Sequence, residues 1–185
     1  IQPIQQFRYT IGKNATDSAM IIDAMDILHS GLVDGFCIVS SDSDYTRLAT
    51  RIRESGIFVM GIGKELTPKA FVYACNVFIY TENLTEEAAY RAKKTMKKTG
   101  SKGEKSDKLD PVPLLKGAID MAIQEDGWAN LATIGFYLRQ LDPGFDPRTY
   151  GFKQLSQLIK TYPKLFDVKF QDETGQNVVY VRIKE

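Results

Sequence analysis

Apolar and polar positions alternate along the first 84 residues in two rhythms. From Thr16 to His29 the period is helical, with Met20, Ile21, Ala24, Met25 and Leu28 on one stripe. This predicts a helix capped by Thr16 and ended by Gly31. Gly35-Phe36-Cys37-Ile38-Val39-Ser40 is then a short unbroken apolar run, which predicts a buried strand. Tyr45 to Ser55 returns to the helical period, with Leu48, Ala49 and Ile52 inward and Gly56 as the stop. Ile57 to Ile62 and Val77 to Tyr80 predict two more buried strands, with a helix from Pro68 to Cys75 between them. Gln5 to Thr10 is a candidate for one further strand. Continuous apolar strands separated by helices predict a parallel sheet flanked by helices, an α/β fold.

The pattern changes twice after that. Glu86 to Lys98 predicts an exposed helix, and Arg91 to Lys108 reads RAKKTMKKTGSKGEKSDK, a basic stretch suited to a flexible linker or a phosphate-binding arm. From Asp110 onward, helices are predicted at Pro111 to Glu125, Leu131 to Gln140 and Gly151 to Thr161. Two alternating runs, Leu165 to Phe170 and Val178 to Ile183, flank the turn Asp172-Glu173-Thr174-Gly175. Three short helices and a terminal hairpin predict a winged helix-turn-helix. The expected organisation is an α/β domain over 1–84, a linker over 85–110 and a winged helix over 111–185. Trp128, Phe136 and Tyr137 are expected in the core of the last.

Charge adds little at first, because 24 basic and 23 acidic residues leave a net charge of +1. No apolar run is long enough to predict a membrane span. The opening Ile1-Gln2-Pro3 does not read as a signal peptide, and without an initiator Met it suggests a fragment or a processed form. Cys37 and Cys75, each among apolar residues, are expected to be buried free thiols in a reducing, cytoplasmic compartment.

The chemistry concentrates in Ser40-Ser41-Asp42-Ser43-Asp44, directly after a predicted strand and before a helix. Ligands of parallel α/β sheets collect beyond the strand C-termini. Carboxylates and hydroxyls gathered there could hold a hard cation such as Mg²⁺ or Mn²⁺, or could simply cap the helix. Asp17 sits on the same face as Met20, Ile21 and Ala24, so its carboxylate must be paired, capped or metal-bound. Lys13 and Asn14 precede the same helix start, where they could meet a phosphate oxygen. His29, the single histidine, falls near a helix C-terminus and is expected to answer the dipole and not to catalyse. Gly61-Ile62-Gly63-Lys64 is too short for a phosphate loop.

Lys13 to Asp23, in the pattern K-N-x-x-D-x-x-M-x-x-D, and Ile38 to Tyr45, I-V-S-S-D-S-D-Y, resemble the NYN family of PIN-like nucleases. Gly61-Ile62-Gly63 and Ala74-Cys75-Asn76-Val77-Phe78 follow in the family's order. The resemblance implies a PIN-like fold and metal-dependent RNA hydrolysis, with Asp17, Asp42 and Asp44 matching the metal-binding acids. Leu114 to Ile183 resembles the OST-HTH (LOTUS) family, notably in GWANLATIGFYL and YGFKQLSQLI. That resemblance implies RNA binding or a protein partner, and the pairing of the two domains is a bacterial arrangement. The sequence departs from the NYN pattern at Asn76, where an Asp is usual, and in lacking an opening strand that ends in Asp. A sheet without that strand is expected to expose an edge or an apolar surface.

Two functions follow as expectations. The first is an endoribonuclease in which Asp17, Asp42 and Asp44 hold Mg²⁺ or Mn²⁺, Ser41 and Ser43 orient ligand oxygens, and Lys13, Asn14, Lys153, Lys160 and Lys169 contact RNA. The alternative is a non-catalytic RNA-binding adaptor built on a degenerate nuclease domain.

Overall fold

In the computed structural model the described residues are 2–7, 15–84, 110–173 and 176–184. The chain divides into two compact units, Ile1–Phe78 and Ile79–Glu185.

The first unit begins with helix α1, Ala15–Ser30, and strand β1, Gly35–Val39. A short 3-10 helix, Ser43–Tyr45, leads into α2, Thr46–Glu54, then β2, Phe58–Gly63, and α3, Lys69–Ala74. Strand β3, Val77–Tyr80, carries the chain across the boundary between the units. The sheet order is β1-β2-β3, and β1 pairs with β2 in parallel from Gly35↔Phe58 to Val39↔Ile62. The expected α/β sheet is therefore present. Residues 2–7 form no strand, and the remainder of the candidate strand, Arg8 to Thr10, lies outside the described residues.

Amphipathic patterning explains the core. Leu48, Ala49 and Ile52 of α2 and Phe71, Val72 and Ala74 of α3 are buried, as are Ile38, Val59 and Phe78 of the sheet. Burying each large apolar side chain contributes roughly 1.5–3 kcal/mol before entropy is counted. Aromatic rings run through this core in series. Phe78 meets Phe71 edge-on at 5.8 Å between centroids, and Phe71 meets Tyr45 at 6.5 Å.

β1 departs from the expected burial. Among the described residues it is an edge strand with the pattern exposed, half-buried, exposed, buried, exposed, so Cys37 is exposed and Val39 is 69% exposed. The strand alternates its side chains across the sheet, and only the Ile38 row faces the α2–α3 core. α1 contributes no fully buried residue, and its predicted stripe is half-buried. The expectation of two buried thiols thus holds for Cys75 alone. Burial pushes the Cys75 thiol up to about 11. A maleimide at pH 7.5 is expected to label Cys37 rapidly and Cys75 only after unfolding, as mass spectrometry of the labelled peptides would read.

Gly61 and Gly63 owe their places to packing. A Cβ at Gly61 would overlap the Phe78 ring and lie 2.8 Å from Cys75 Sγ, and one at Gly63 would lie 2.8 Å from Thr67 Oγ1. Gly61→Ala is expected to cost about 1–3 kcal/mol in denaturant unfolding, with the Phe78 ring displaced.

The second unit holds α4, Val112–Ala122, β4, Ala129–Asn130, α5, Leu131–Leu141, α6, Leu155–Lys160, and the hairpin strands β5, Phe166–Glu173, and β6, Gln176–Ile183. Leu115, Ala118, Ile119, Ile134, Leu138, Leu158, Ile159, Phe166 and Val181 form its core. The strand order β4-β6-β5 adds a strand that the sequence pattern did not predict, because two residues carry no period. The third helix starts at Leu155 and not at Gly151. Gly151, at φ 88°, closes the 3-10 helix Pro147–Tyr150 in the left-handed region. Phe136 is 62% exposed and Trp128 is half-buried, so of the three expected core aromatics only Tyr137 packs on the core.

Candidate metal centre

β1 delivers the Ser40–Asp44 loop to the C-terminal end of the parallel sheet, where an α/β fold opens its crevice. The loop is held by its own side chains. The Asp42 amide donates to Ser40 Oγ at 3.0 Å, and the Asp44 amide donates to Asp42 Oδ1 at 2.9 Å. Asp42 is therefore the cap of the 3-10 helix, in line with the capping role that SSDSD also allows. The Lys64 amide donates to Ser41 Oγ at 2.8 Å, and the Ser40 amide donates to Ile62 O at 2.9 Å. These two bonds tie the loop to the end of β2.

Capping does not exhaust the acids. Asp17 of α1, Asp42 and Asp44 each bring a carboxylate oxygen within 4.8 Å of the other two. Asp17 is half-buried and the other two are exposed, so the cluster opens to solvent on one side. Tyr45, buried in the aromatic core, donates its hydroxyl to Asp17 Oδ1 at 2.8 Å. Burial first, then the bond to Asp17 and the charges of Asp17, Asp42 and Asp44, push the Tyr45 hydroxyl up to about 12. At neutral pH it is a fixed donor that aims Asp17.

Three hard oxygens at this spacing suit an oxygen-seeking cation. Asp17, Asp42 and Asp44, with ligand oxygens within 4.8 Å of one another, could share one Mg²⁺ or Mn²⁺. The like charges repel one another, a divalent ion would offset that repulsion, and the open side leaves room for the waters Mg²⁺ retains.

Of the other expected site residues, Ser41 is spent on the Lys64 amide and Ser43 is exposed beside the acids in sequence. Lys13 and Asn14 lie outside the described residues. Lys153 and Lys160 are exposed on the second unit. His29 stands at the end of α1, its Nδ1 2.7 Å from Met25 O. Asn76 is not a ligand. Its Oδ1 accepts from the Val59 backbone amide at 2.9 Å, and its own backbone N–H donates to Val59 O at 2.9 Å, at the opposite end of β2 from the acids. The Asn76 side-chain carbonyl and backbone amide together clamp the residue to β2 at Val59. A surface depression of about 620 Å³ at that end, lined by Thr50, Arg53, Phe58 and Asn76 among others, is likewise remote from the acids.

Sequence reasoning missed Tyr45 as a supporting residue, although it follows SDSD directly. Tyr45→Phe keeps the ring and removes the bond. It is expected to cost about 1–2 kcal/mol in thermal unfolding and to weaken Mn²⁺ binding roughly 10-fold, as read by electron paramagnetic resonance.

Comparison with known proteins agrees with this layout. The NYN domain model matches residues 1–84, and the OST-HTH/LOTUS domain model matches residues 107–178. The chain joins an NYN domain to an OST-HTH/LOTUS domain. An NYN domain is PIN-like and nuclease-like, and such nucleases typically depend on a divalent metal; an OST-HTH/LOTUS domain binds RNA. Among solved structures, the chain is similar to a protein of Nitrosomonas europaea, at 33% identity over 48% of this chain and 90% of that one, with a TM-score of 0.39. It is also similar to a Chromobacterium violaceum protein, at 30% identity over 41% of this chain and 82% of that one, with a TM-score of 0.35. No curated protein matches. Among the described residues no helix is long and apolar enough to cross a membrane.

Proposed function

We propose that this chain is a Mg²⁺- or Mn²⁺-dependent endoribonuclease of the cytoplasm, its NYN domain cutting RNA that its OST-HTH/LOTUS domain holds. The reading rests on the convergence of the Asp17, Asp42 and Asp44 carboxylates within 4.8 Å at the end of β1.

Asp17, Asp42 and Asp44 would be the ligands. A divalent ion held there would lower the pKa of a water so that hydroxide forms near neutral pH, and would offset charge on the scissile phosphate. The protein's part is preorganisation. Tyr45 fixes the rotamer of Asp17, and the Asp44 amide fixes Asp42, so that two of the three carboxylates need little reordering. Ser41 holds the loop against β2 and acts on the ligands through the backbone, while Ser43 is the hydroxyl left to orient ligand oxygens. Lys13 and Asn14 would meet the phosphate from the approach to α1. Lys153 and Lys160 would meet backbone phosphates on the second domain.

EDTA treatment followed by added Mn²⁺ tests this. Protein freed of metal should leave a single-stranded RNA intact, and Mn²⁺ should restore cutting. Cleavage that survives EDTA would overturn the reading. RNA bound but never cut, with either metal, would favour the adaptor alternative.

A further inference from the structure

The inward row of the β5 strand overruns the core it serves. Phe166 is 3% exposed, Val168 is half-buried and packs on the core, and Phe170, next on the same face, is 56% exposed. Its cross-strand partner is Val179. Where such a row leaves the core a polar residue is the ordinary choice, since an exposed phenylalanine gains little from burial. Here an aromatic ring stands instead, and Lys160, the last residue of α6, lies over it with Nζ 4.5 Å from the centroid. Lys160 is exposed, and no ion pair to an acid holds it among the described residues.

The other aromatic–basic cluster of this unit is different. Lys169 and Arg182 lie 4.4 and 4.7 Å from the Trp128 ring, but each has an acid beside it, Asp126 at 3.7 Å from Lys169 and Asp167 at 3.0 Å from Arg182, the latter acid shared with Lys184 at 3.1 Å. In that cluster the cations over the ring are paired with acids, whereas Lys160 has no acid partner among the described residues and covers only part of a Phe170 ring that stays 56% exposed.

We infer that Phe170 and Lys160 form a contact point for single-stranded RNA, the ring stacking on an unpaired base and the ammonium meeting the adjacent phosphate. This rests on the RNA-binding reading of the OST-HTH/LOTUS domain and names the part of its surface that is used. A duplex would not serve, because its bases are stacked on one another and offer no free face to the ring. Base–aromatic stacking tolerates any base, so the contact adds affinity without sequence preference.

The test is fluorescence anisotropy of the full chain with a labelled single-stranded RNA and with the same strand in a duplex, in EDTA to prevent cutting. Phe170→Ala is expected to weaken single-strand binding roughly 10-fold and to leave the salt dependence unchanged. Phe170→Tyr keeps a ring and should bind like the wild type. Lys160→Gln is expected to lower the slope of log affinity against log salt by about 0.7, the share of one phosphate. Wild-type affinity retained in Phe170→Ala, with only a lower melting temperature, would overturn the proposal and reduce the pair to a clip between α6 and the hairpin. Equal losses on the duplex would overturn the stacking contact. Absence of RNA binding by the wild type would overturn the RNA-binding reading itself, a result distinct from the other two.

Discussion

Replacing Asp42 and Asp44 together by asparagine is expected to lower Mn²⁺-dependent RNA cleavage by at least about 10²–10³-fold while the chain stays folded. The size follows from what the two side chains do. Each is exposed, so neither carries the core, and the exchange of carboxylate for amide keeps the shape of both. In Asp42→Asn the side-chain carbonyl can still accept from the amide of residue 44, as the Asp42 carboxylate does at 2.9 Å, so the cap of the 3-10 helix survives. Removed instead are two of the three charges that would hold a divalent ion, leaving Asp17 as a single ligand. RNA binding, proposed to rest largely on the OST-HTH/LOTUS domain, should change little. Circular dichroism should overlay on the wild type, and cleavage should be followed on gels over hours. A variant that cuts at the wild-type rate would move the active site elsewhere.

Phe71→Ala is expected to have the largest effect on stability, about 3–5 kcal/mol in denaturant unfolding of the first unit. Phe71 is fully buried, with the Phe78 ring at 5.8 Å and the Tyr45 ring at 6.5 Å between centroids. Deleting it leaves a cavity that neither flanking ring can fill without leaving its rotamer. The consequence reaches the acids, because Tyr45 is the donor to Asp17. Under conditions where the variant is still folded, Mn²⁺ should bind more weakly than to the wild type, in the same direction as Tyr45→Phe. Full Mn²⁺ affinity in a folded Phe71→Ala protein would break the link between the aromatic series and the carboxylates.

Most of the architecture could be read from residue order because its signals are periodic. The stripe through Met20, Ile21, Ala24, Met25 and Leu28 foretold α1, and the unbroken apolar runs foretold a parallel sheet. Asp17, Asp42 and Asp44 could be singled out because carboxylates at a helix start and at a strand end need a reason to be there. What could not be read depends on partners distant in sequence. Cys37 sits in an apolar run, and only the sheet order, which makes β1 an edge among the described residues, explains its exposure. Trp128 and Phe136 are core residues by type, yet one lies against Lys169 and Arg182 and the other points outward beside Tyr137. Asn76 stood out only as a departure from the NYN pattern, and its role became visible through the bond to the Val59 amide. Tyr45 was hidden by its neighbours, since a tyrosine opening a helix carries no special signal without the hydrogen bond across 28 residues to Asp17.

One measurement reaches the central claim most directly: RNA cleavage by the full chain across a Mn²⁺ titration, with bound Mn²⁺ followed by electron paramagnetic resonance in the same samples. Cleavage that rises in step with occupancy, with both absent from the Asp42→Asn/Asp44→Asn protein, is the predicted result. Bound Mn²⁺ with intact RNA, or cleavage without bound Mn²⁺, would contradict it.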